Sequence, residues 1–225
     1  MTAPSLKLIS FTTCPYVQRS WAALELKAAV YDVVFIDLKA KPEWFVRLNP
    51  RGKVPVLVVD ESHIVYQSPV INELLEDLLP EPALLPADPL ERARARMWID
   101  HADSYVMSAL STRMFTRDRA AFDETGGALL KAFGMLQTEL VERDVTTWFC
   151  GGDRPGLVEA TWAPIFDRLP AVRELWGWEL PGSLKRLLAW GERMLDEEHI
   201  ARTRLPEPVE AYRPYREAQE KAFAR

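Results

Sequence analysis

Residues 6–38 of this 225-residue chain, LKLISFTTCPYVQRSWAALELKAAVYDVVFIDL, carry the clearest indication of its fold. Apolar and polar side chains alternate over 6–11, which predicts a first strand. Apolar residues then recur at helical spacing from Val17 to Ala28, and 31–38 is rich in the β-branched residues typical of a second strand. A strand, a helix and a second strand in this order predict a right-handed βαβ unit.

Two further strands and a helix follow this unit. VPVLVVD at 54–60 and HIVYQ at 63–67 are predicted strands, and a short polar link joins them as in a hairpin. SPVINELLEDLL at 68–79 has an amphipathic pattern, for which we expect Ser68 as the N-cap and Pro69 as the first helical residue. The resulting order, β-α-β and then β-β-α, is that of a thioredoxin-like domain.

A proline-rich segment separates this first domain from the rest of the chain. We predict a thioredoxin-like domain over 1–80, a linker over 81–87 and an all-helical domain over 88–225. Asp88 followed by Pro89 is typical of a helix start, and nearly every later periodic segment is helical. The predicted fold class is therefore α/β plus all-α.

Composition and charge exclude several classes of protein. A net charge of -5 provides no basic surface for phosphate backbones, so we expect no nucleic acid partner. No segment reaches the roughly 20 apolar residues of a membrane span, and the first residues have too short an apolar run for a signal peptide. The 2 cysteines form no framework and the 3 histidines are isolated, so we expect no disulfide and no metal. We therefore predict a cytoplasmic location without a membrane partner.

Cys14 stands where the first strand ends and the first helix begins, directly before Pro15. The unpaired N–H groups and partial positive charge of a helix N-terminus favour a thiolate, so we expect a lowered thiol pKa. The alternative is a buried structural cysteine, because free cysteine is among the most buried residue types. Val17 leaves the site without a C-x-x-C pair. A mixed disulfide at Cys14 therefore needs an outside thiol for its release, and glutathione is the obvious cytosolic supply.

Two other segments are predicted to meet a ligand beside this cysteine. Val54-Pro55 lies where thioredoxin-like domains place a cis proline, which turns the preceding backbone toward the substrate. Without the fold, Val-Pro indicates only a strand start. The Ser68 hydroxyl and the free N–H groups beside it can hold a carboxylate, and the Gln67 side-chain oxygen can accept from an ammonium group. Ser68 can serve as a helix cap at the same time.

Together these residues carry a resemblance to a known family. The chain resembles the omega class of glutathione transferases in six blocks, Cys14-Pro15-Tyr16, LKAKPEWF at 38–45, NPRGKVPVL at 49–57, YQS at 66–68, LLPADPLERA at 84–93 and FCGGDRPGLVEATWAPIFDRL at 149–169. The resemblance covers most of the chain and is weakest at 105–145 and after residue 200. It implies the glutathione transferase fold and a homodimer.

The resemblance also implies roles for individual residues. Cys14 would be the nucleophile that forms a mixed disulfide with glutathione. Glutathione would be held by Lys41, the Val54 backbone, Gln67 and Ser68, with Lys41 paired to the glycyl carboxylate. A second substrate would lie between the domains, over Cys14. Its candidate walls are aromatic residues that are equally typical of a core, namely Phe11, Tyr16, Tyr105 and Trp162.

Two positions depart from the pattern of the class. Where the class usually has Glu, this chain has Gln67, so charge pairing with the glutathione ammonium is lost and we expect a lower affinity. The central helix of the second domain usually opens with Ser or Thr as cap and Asp three residues later. Gly156 and Glu159 take those places here. Glycine is a tolerable cap, so we expect a modest cost to folding.

These observations favour an enzyme, a glutathione-dependent thiol transferase or reductase that acts through a Cys14–glutathione mixed disulfide. Its substrates would be glutathione mixed disulfides of small molecules or proteins, dehydroascorbate-type oxidants or glutathionyl conjugates. The alternative is a non-enzymatic binding or regulatory protein of the same fold. Conjugation of glutathione to electrophiles is a third reading, which needs a free glutathione thiolate that Cys14 would instead trap.

Overall fold

The computed structural model describes residues 4–224. The first part of the chain contains a four-stranded mixed sheet. The strands are β1 Leu6–Ser10, β2 Asp32–Phe35, β3 Val56–Val59 and β4 His63–Tyr66, in the order β2-β1-β3-β4. β1 runs parallel to β2 and antiparallel to β3, and β4 is antiparallel to β3. The parallel pair with its crossover helix is the predicted βαβ unit.

Three helices accompany the sheet: α1 Pro15–Leu26, α2 Glu43–Leu48 and α3 Ser68–Leu78. α1 ends before the predicted Ala28, because that residue adopts a left-handed backbone with φ 49°. α3 begins one residue earlier than predicted. Gln67, with φ 77°, takes the N-cap position, and Ser68 is the first helical residue. The thioredoxin-like order of elements is confirmed.

The remainder of the described chain is helical, which confirms the predicted fold class. α4 Pro89–His101 continues through a π-helical segment, Ala102–Met107, into α5 Ser108–Phe115. The later helices are α6 Arg119–Glu142, α7 Leu157–Trp176, α8 Lys185–Asp196, α9 Glu198–Ala201 and α10 Pro208–Phe223. Asp88 caps α4 as predicted, since its Oδ1 accepts from the N–H groups of Leu90 and Glu91 at 3.0 Å. Within residues 4–224 no helix is both long and apolar enough to span a membrane.

α7 is the central helix of the second domain, and every residue from Leu157 to Arg168 is buried. It packs against α1 of the first domain on one side and against α10 on another. Its N-terminus needs glycine, because a Cβ on Gly156 would lie 2.5 Å from the Leu84 carbonyl oxygen. The glycine that departs from the class pattern is therefore the residue this close approach requires.

Glu159 completes the start of α7. Its carboxylate accepts from the N–H of Gly156 at 2.9 Å, the N–H of Phe149 at 2.6 Å and the Trp190 indole at 3.1 Å. A buried carboxylate with three donors is well satisfied, although burial still raises its pKa. Glu159 thus satisfies the N–H of the N-cap residue, in the place where the class usually has Asp, while Gly156 gives no side-chain cap.

Candidate active site around Cys14

Cys14 is the N-cap residue of α1 and lies at the C-terminal end of β1. Its N–H donates to the Phe11 carbonyl at 3.0 Å, and this turn directs the chain from the strand into the helix. The thiol is partly exposed and faces the Val54 carbonyl, with 4.0 Å between Sγ and the oxygen. The Val54–Pro55 bond is cis, as predicted. The two segments therefore meet at the sulfur.

The pKa of the Cys14 thiol is raised above its ordinary value, which is opposite to the sequence-based expectation. Burial is the largest cause, because a thiolate loses hydration there. The N–H groups of Val17 and Tyr16 and the guanidinium groups of Arg168 and Arg19 lower the pKa, in that order. The helix N-terminus stabilises the thiolate as expected, but burial outweighs this effect.

Val54 also lines a cavity of about 380 Å³. It contains several of the predicted site residues, since Tyr16, Val54, Pro55, Gln67 and Ser68 all line it. The first turn of α3 contributes backbone N–H groups that no helical carbonyl satisfies, which suits a carboxylate. Ser68, predicted to bind a carboxylate, and Gln67, predicted to bind an ammonium group, are thus neighbours in one wall of the cavity.

Charged side chains of both signs complete this cavity. Arg51 and Lys53 line it, and so does Asp103 of the π-helical segment. The loop that carries the two cations is held by the Asn49 amide, which donates to the Lys53 carbonyl at 2.8 Å. Cations and a carboxylate in one cavity suit a small ligand with carboxylate and ammonium groups.

Lys41, for which the resemblance implied a pairing with the glycyl carboxylate, is not among the residues that line this cavity. Its side chain covers Gly52, whose φ is 59°, so closely that a Cβ there would stand 2.9 Å from Nζ. Lys53 and Arg51 occupy the cavity wall instead. Lys53 directly precedes Val54 in the sequence, and this adjacency could have predicted that Lys53 lies at the site.

The four aromatic residues suggested as substrate walls are separated by the structure. Tyr16 lines the 380 Å³ cavity, and Phe11 lines a smaller one of about 140 Å³ that Cys14 also lines. Trp162 is 0% exposed and donates to the Trp98 carbonyl at 3.1 Å, so it is a core residue. Tyr105 faces a different cavity of about 570 Å³, between the α4–α5 helix and α6. The suggestion is wrong for these last two.

Other aromatic residues lie nearer to Cys14 than the sequence indicated. The Tyr212 hydroxyl of α10 donates to the Thr13 carbonyl at 2.9 Å, directly before the cysteine. The Tyr215 ring lies 6.0 Å from that of Tyr212, and the Phe115 ring lies 5.2 Å from that of Tyr215. Phe115 is exposed and Tyr215 half-buried. α5 and α10 thus supply an aromatic surface on this side of the molecule.

A buried polar network joins the two domains behind the cysteine. Gln18 of α1 donates to Asp167 at 3.0 Å and accepts from Arg168 at 2.5 Å. Arg168 also donates to the Thr13 carbonyl at 3.0 Å. A long-range network of this kind gives no periodic signal, and sequence reasoning did not find it.

Cys150 differs from Cys14 in its surroundings. It is half-buried against the core, and burial together with the nearby Glu159 carboxylate raises its pKa to about 12. Cys150 is therefore a thiol at neutral pH, in agreement with the inert apolar setting that its sequence context predicts.

Comparisons of sequence and of fold both find glutathione transferases. Residues 13–78 match the family model of the glutathione S-transferase N-terminal domain. The chain is 33% identical over 167 residues to glutathione S-transferase omega-1 of Mus musculus, which covers 74% of this chain and 68% of the relative. The fold superposes on glutathione transferase Omega 3C from Trametes versicolor with a TM-score of 0.81, at 27% identity over 96% of this chain and 92% of that one. It superposes on rice GST1 in complex with glutathione with a TM-score of 0.83, at 26% identity over 98% and 99% of the two chains.

Proposed function

Because this chain belongs to the glutathione S-transferase family, we propose that it is a glutathione-dependent thiol transferase or reductase whose nucleophile is Cys14. The observation that carries the proposal is the position of this single thiol, at a helix N-terminus and facing the Val54 carbonyl beside a charged cavity. A Ser or Tyr at this place would activate glutathione without bonding to it, whereas a cysteine can form a covalent intermediate.

The reaction consists of two thiol–disulfide exchanges. In the first, the Cys14 thiolate attacks the glutathionyl sulfur of a mixed disulfide RS–SG, so that the Cys14–SG bond forms and RS⁻ leaves. In the second, a glutathione thiolate attacks the glutathionyl sulfur of Cys14–SG. Glutathione disulfide leaves, and the electron pair of the broken bond returns to Cys14. Cys150 has no part in the cycle, and both cysteines are free.

Glutathione fits the 380 Å³ cavity by its charges. Its γ-glutamyl carboxylate would lie at the first turn of α3 beside Ser68, and its ammonium would lie near Gln67 and Asp103. The backbone of Val54 would hold the peptide, and Lys53 with Arg51 would take the glycyl carboxylate in place of Lys41. Rice GST1, whose fold matches over 98% of this chain, was solved with glutathione bound, which supports glutathione as the ligand.

The second substrate would lie on the aromatic surface of α5 and α10. Phe115 and Tyr215 offer an exposed and a half-buried ring face there. These rings suit an apolar or aromatic group attached to the sulfur that Cys14 attacks. Small-molecule and protein mixed disulfides both satisfy this description.

We also propose a homodimer in the cytoplasm. α3, α4 and α6 expose large apolar side chains, among them Val70 at 54%, Met97 at 68% and Met135 at 51%. Exposed apolar side chains of this number suit contact with a second copy of the chain. Two free thiols and a glutathione-dependent reaction fit a reducing compartment.

A binding or regulatory protein is the second candidate, and the raised pKa of Cys14 favours it. A thiol that stays protonated at neutral pH reacts slowly. The two candidates differ in turnover, because a binding protein would retain glutathione without exchanging it.

Replacement of Cys14 by Ala tests the proposal. The assay follows release of a thiol from its glutathione mixed disulfide in the presence of reduced glutathione. We expect C14A to lose transfer and C150A to retain it. Transfer that survives in C14A, or its absence from the wild-type chain at saturating glutathione, would reject the enzyme.

A further inference from the structure

Arg168 of α7 lies beside the nucleophile and has no role in the reaction described above. It is 1% exposed, although it carries a positive charge. Its Nη2 donates at 3.0 Å to the carbonyl of Thr13, the residue directly before Cys14. The guanidinium group of the second domain therefore contacts the peptide unit that leads into the cysteine.

The hydrogen bonds of Arg168 all go to uncharged oxygens. Nε donates to the Tyr212 hydroxyl at 2.8 Å, and Nη1 donates to the Gln18 amide at 2.5 Å and to the Pro164 carbonyl at 2.7 Å. Within residues 4–224 no carboxylate forms an ion pair with it. Buried charges in proteins are normally paired, so this cation lacks its usual partner.

The adjacent carboxylate, Asp167, makes its contacts elsewhere. It accepts from the Gln18 amide at 3.0 Å, from the Leu205 N–H at 2.8 Å and from Arg204 Nε at 3.1 Å. These donors satisfy both carboxylate oxygens. The charge of Asp167 is thus balanced by Arg204, and Arg168 remains uncompensated.

Arg19 offers a contrast within the same site. It is also buried, at 0% exposure, but both of its terminal nitrogens contact the Asp103 carboxylate, one of them at 2.7 Å. The field of a cation paired with an anion falls off rapidly with distance, whereas that of an unpaired cation persists. In agreement, Arg168 lowers the Cys14 pKa more than Arg19 does.

We propose that Arg168 is the built-in counter-charge of the Cys14 thiolate, supplied across the domain interface by α7. It is a positioning residue that acts on the nucleophile, not a ligand of the substrate. Ionisation of Cys14 gives the buried guanidinium an anionic neighbour. Attack of glutathione on the mixed disulfide also creates this anion, because the electron pair of the broken S–S bond then returns to the Cys14 sulfur. The inference rests on the proposed role of Cys14.

Other titratable and charged groups line the cavities around Cys14 or contact Thr13 or the residues of α1 beside it, and they remain unchanged in the principal variants. They are Tyr16 and Arg19 of α1, Asp103 of the π-helical segment, Asp167 of α7, Arg204 of the loop before α10, and Tyr212 of α10.

The test compares R168M and R168K in a C150A background, in which Cys14 is the single thiol. The rate constant of alkylation by iodoacetamide is followed by intact mass across the pH range of thiol ionisation. We expect R168M to react roughly tenfold more slowly at neutral pH and to reach the same plateau at high pH, as a pKa higher by about 1 would give. R168K keeps the charge and loses the fork of hydrogen bonds, and should stay within about twofold of the parent.

Y212F is the matched control, because it removes the other hydrogen bond to the Thr13 carbonyl, and with it the acceptor of Arg168 Nε, without changing any charge. Its alkylation midpoint should equal that of the parent. A midpoint in R168K or Y212F that moves as far as in R168M would overturn the inference, as would a lowered plateau in R168M. If R168M shows no cooperative thermal unfolding, the alkylation midpoint of R168K alone decides the test. A midpoint equal to that of the parent then supports the inference, and a shifted midpoint overturns it.

The alkylation assay contains no glutathione, so it separates this inference from the proposed function. Absence of thiol transfer in the C150A parent would reject the enzyme and leave the effect of Arg168 on alkylation intact. Normal transfer together with an unchanged R168M midpoint would reject the counter-charge alone.

Discussion

The carbonyl oxygen of Leu84 lies 2.5 Å from the point where a Cβ would stand on Gly156. The same oxygen accepts a hydrogen bond from the N–H of Leu157 at 2.9 Å. The segment between the domains is therefore attached to the first turn of α7, and only glycine allows the contact.

Replacement of Gly156 by Ala should destabilise the protein by about 1–3 kcal/mol, because backbone atoms on both sides must move apart. Urea unfolding measures the change. Gly127 in α6 is the matched control, since a Cβ there meets nothing within 4 Å. G127A should stabilise the chain by about 0.5–1 kcal/mol through helix propensity. Equal midpoints for G156A and the wild type would show that the contact is not tight in solution.

Lys53 and Lys41 should differ in their effect on glutathione affinity. Lys53 lines the cavity, whereas Lys41 covers Gly52 outside it. We expect K53M to weaken binding about tenfold, as loss of a charge-assisted hydrogen bond does, and K41M to leave it within about twofold. Titration calorimetry with reduced glutathione gives both constants. The reverse order would restore the role that the family resemblance implied for Lys41.

A carboxylate at position 67 should strengthen glutathione binding. Gln67 lines the cavity beside Ser68, and Q67E would add an anion opposite the γ-glutamyl ammonium. We expect a gain of about 3- to 10-fold at low salt, which higher salt should reduce. A glutathione analogue without the amino group should show no gain. A gain for that analogue as well would mean that the ammonium lies elsewhere.

The reactivity of Cys14 should increase with pH beyond the range of an ordinary thiol. Burial raises its pKa, so the thiolate fraction at neutral pH is below that of a free cysteine, and it grows about tenfold per pH unit until the pKa is reached. Cys150, with a pKa of about 12, should become reactive only at still higher pH. Alkylation followed by peptide mass mapping resolves the two. A Cys14 rate that levels off below neutral pH would show instead that the thiolate is the resting state.

Local patterns predicted the elements of the fold because its segments are regular. The alternation in β1, the β-branched residues of β2 and β3 and the Asp88-Pro89 start of α4 each report on backbone hydrogen bonding within a few residues. The observed ends of α1 and α3 differ from the predicted ones where a single residue adopts a positive φ, as Ala28 and Gln67 do. Neither residue type signals that conformation.

The site was predictable only in its local part. Cys14, Val54, Gln67 and Ser68 adjoin element ends, so the order of elements brings Cys14 to Val54, and Val54 to the cavity that Gln67 and Ser68 line. The pKa of Cys14 depends on how much protein covers it, and Arg168 reaches Thr13 from 155 residues away. Trp162 and Tyr105 were misplaced because an aromatic residue in a helix gives no sign of which neighbour it faces.

The π-helical segment Ala102–Met107 has a consequence for how this chain tolerates changes in length. A wide turn of this kind accommodates a surplus residue inside a continuous helix, so that the faces before and after it keep their orientation. Shortening the segment by one residue would leave α4 and α5 aligned with their present neighbours. The same deletion in the middle of α7 would turn half of that buried helix by about 100° and expose its apolar side.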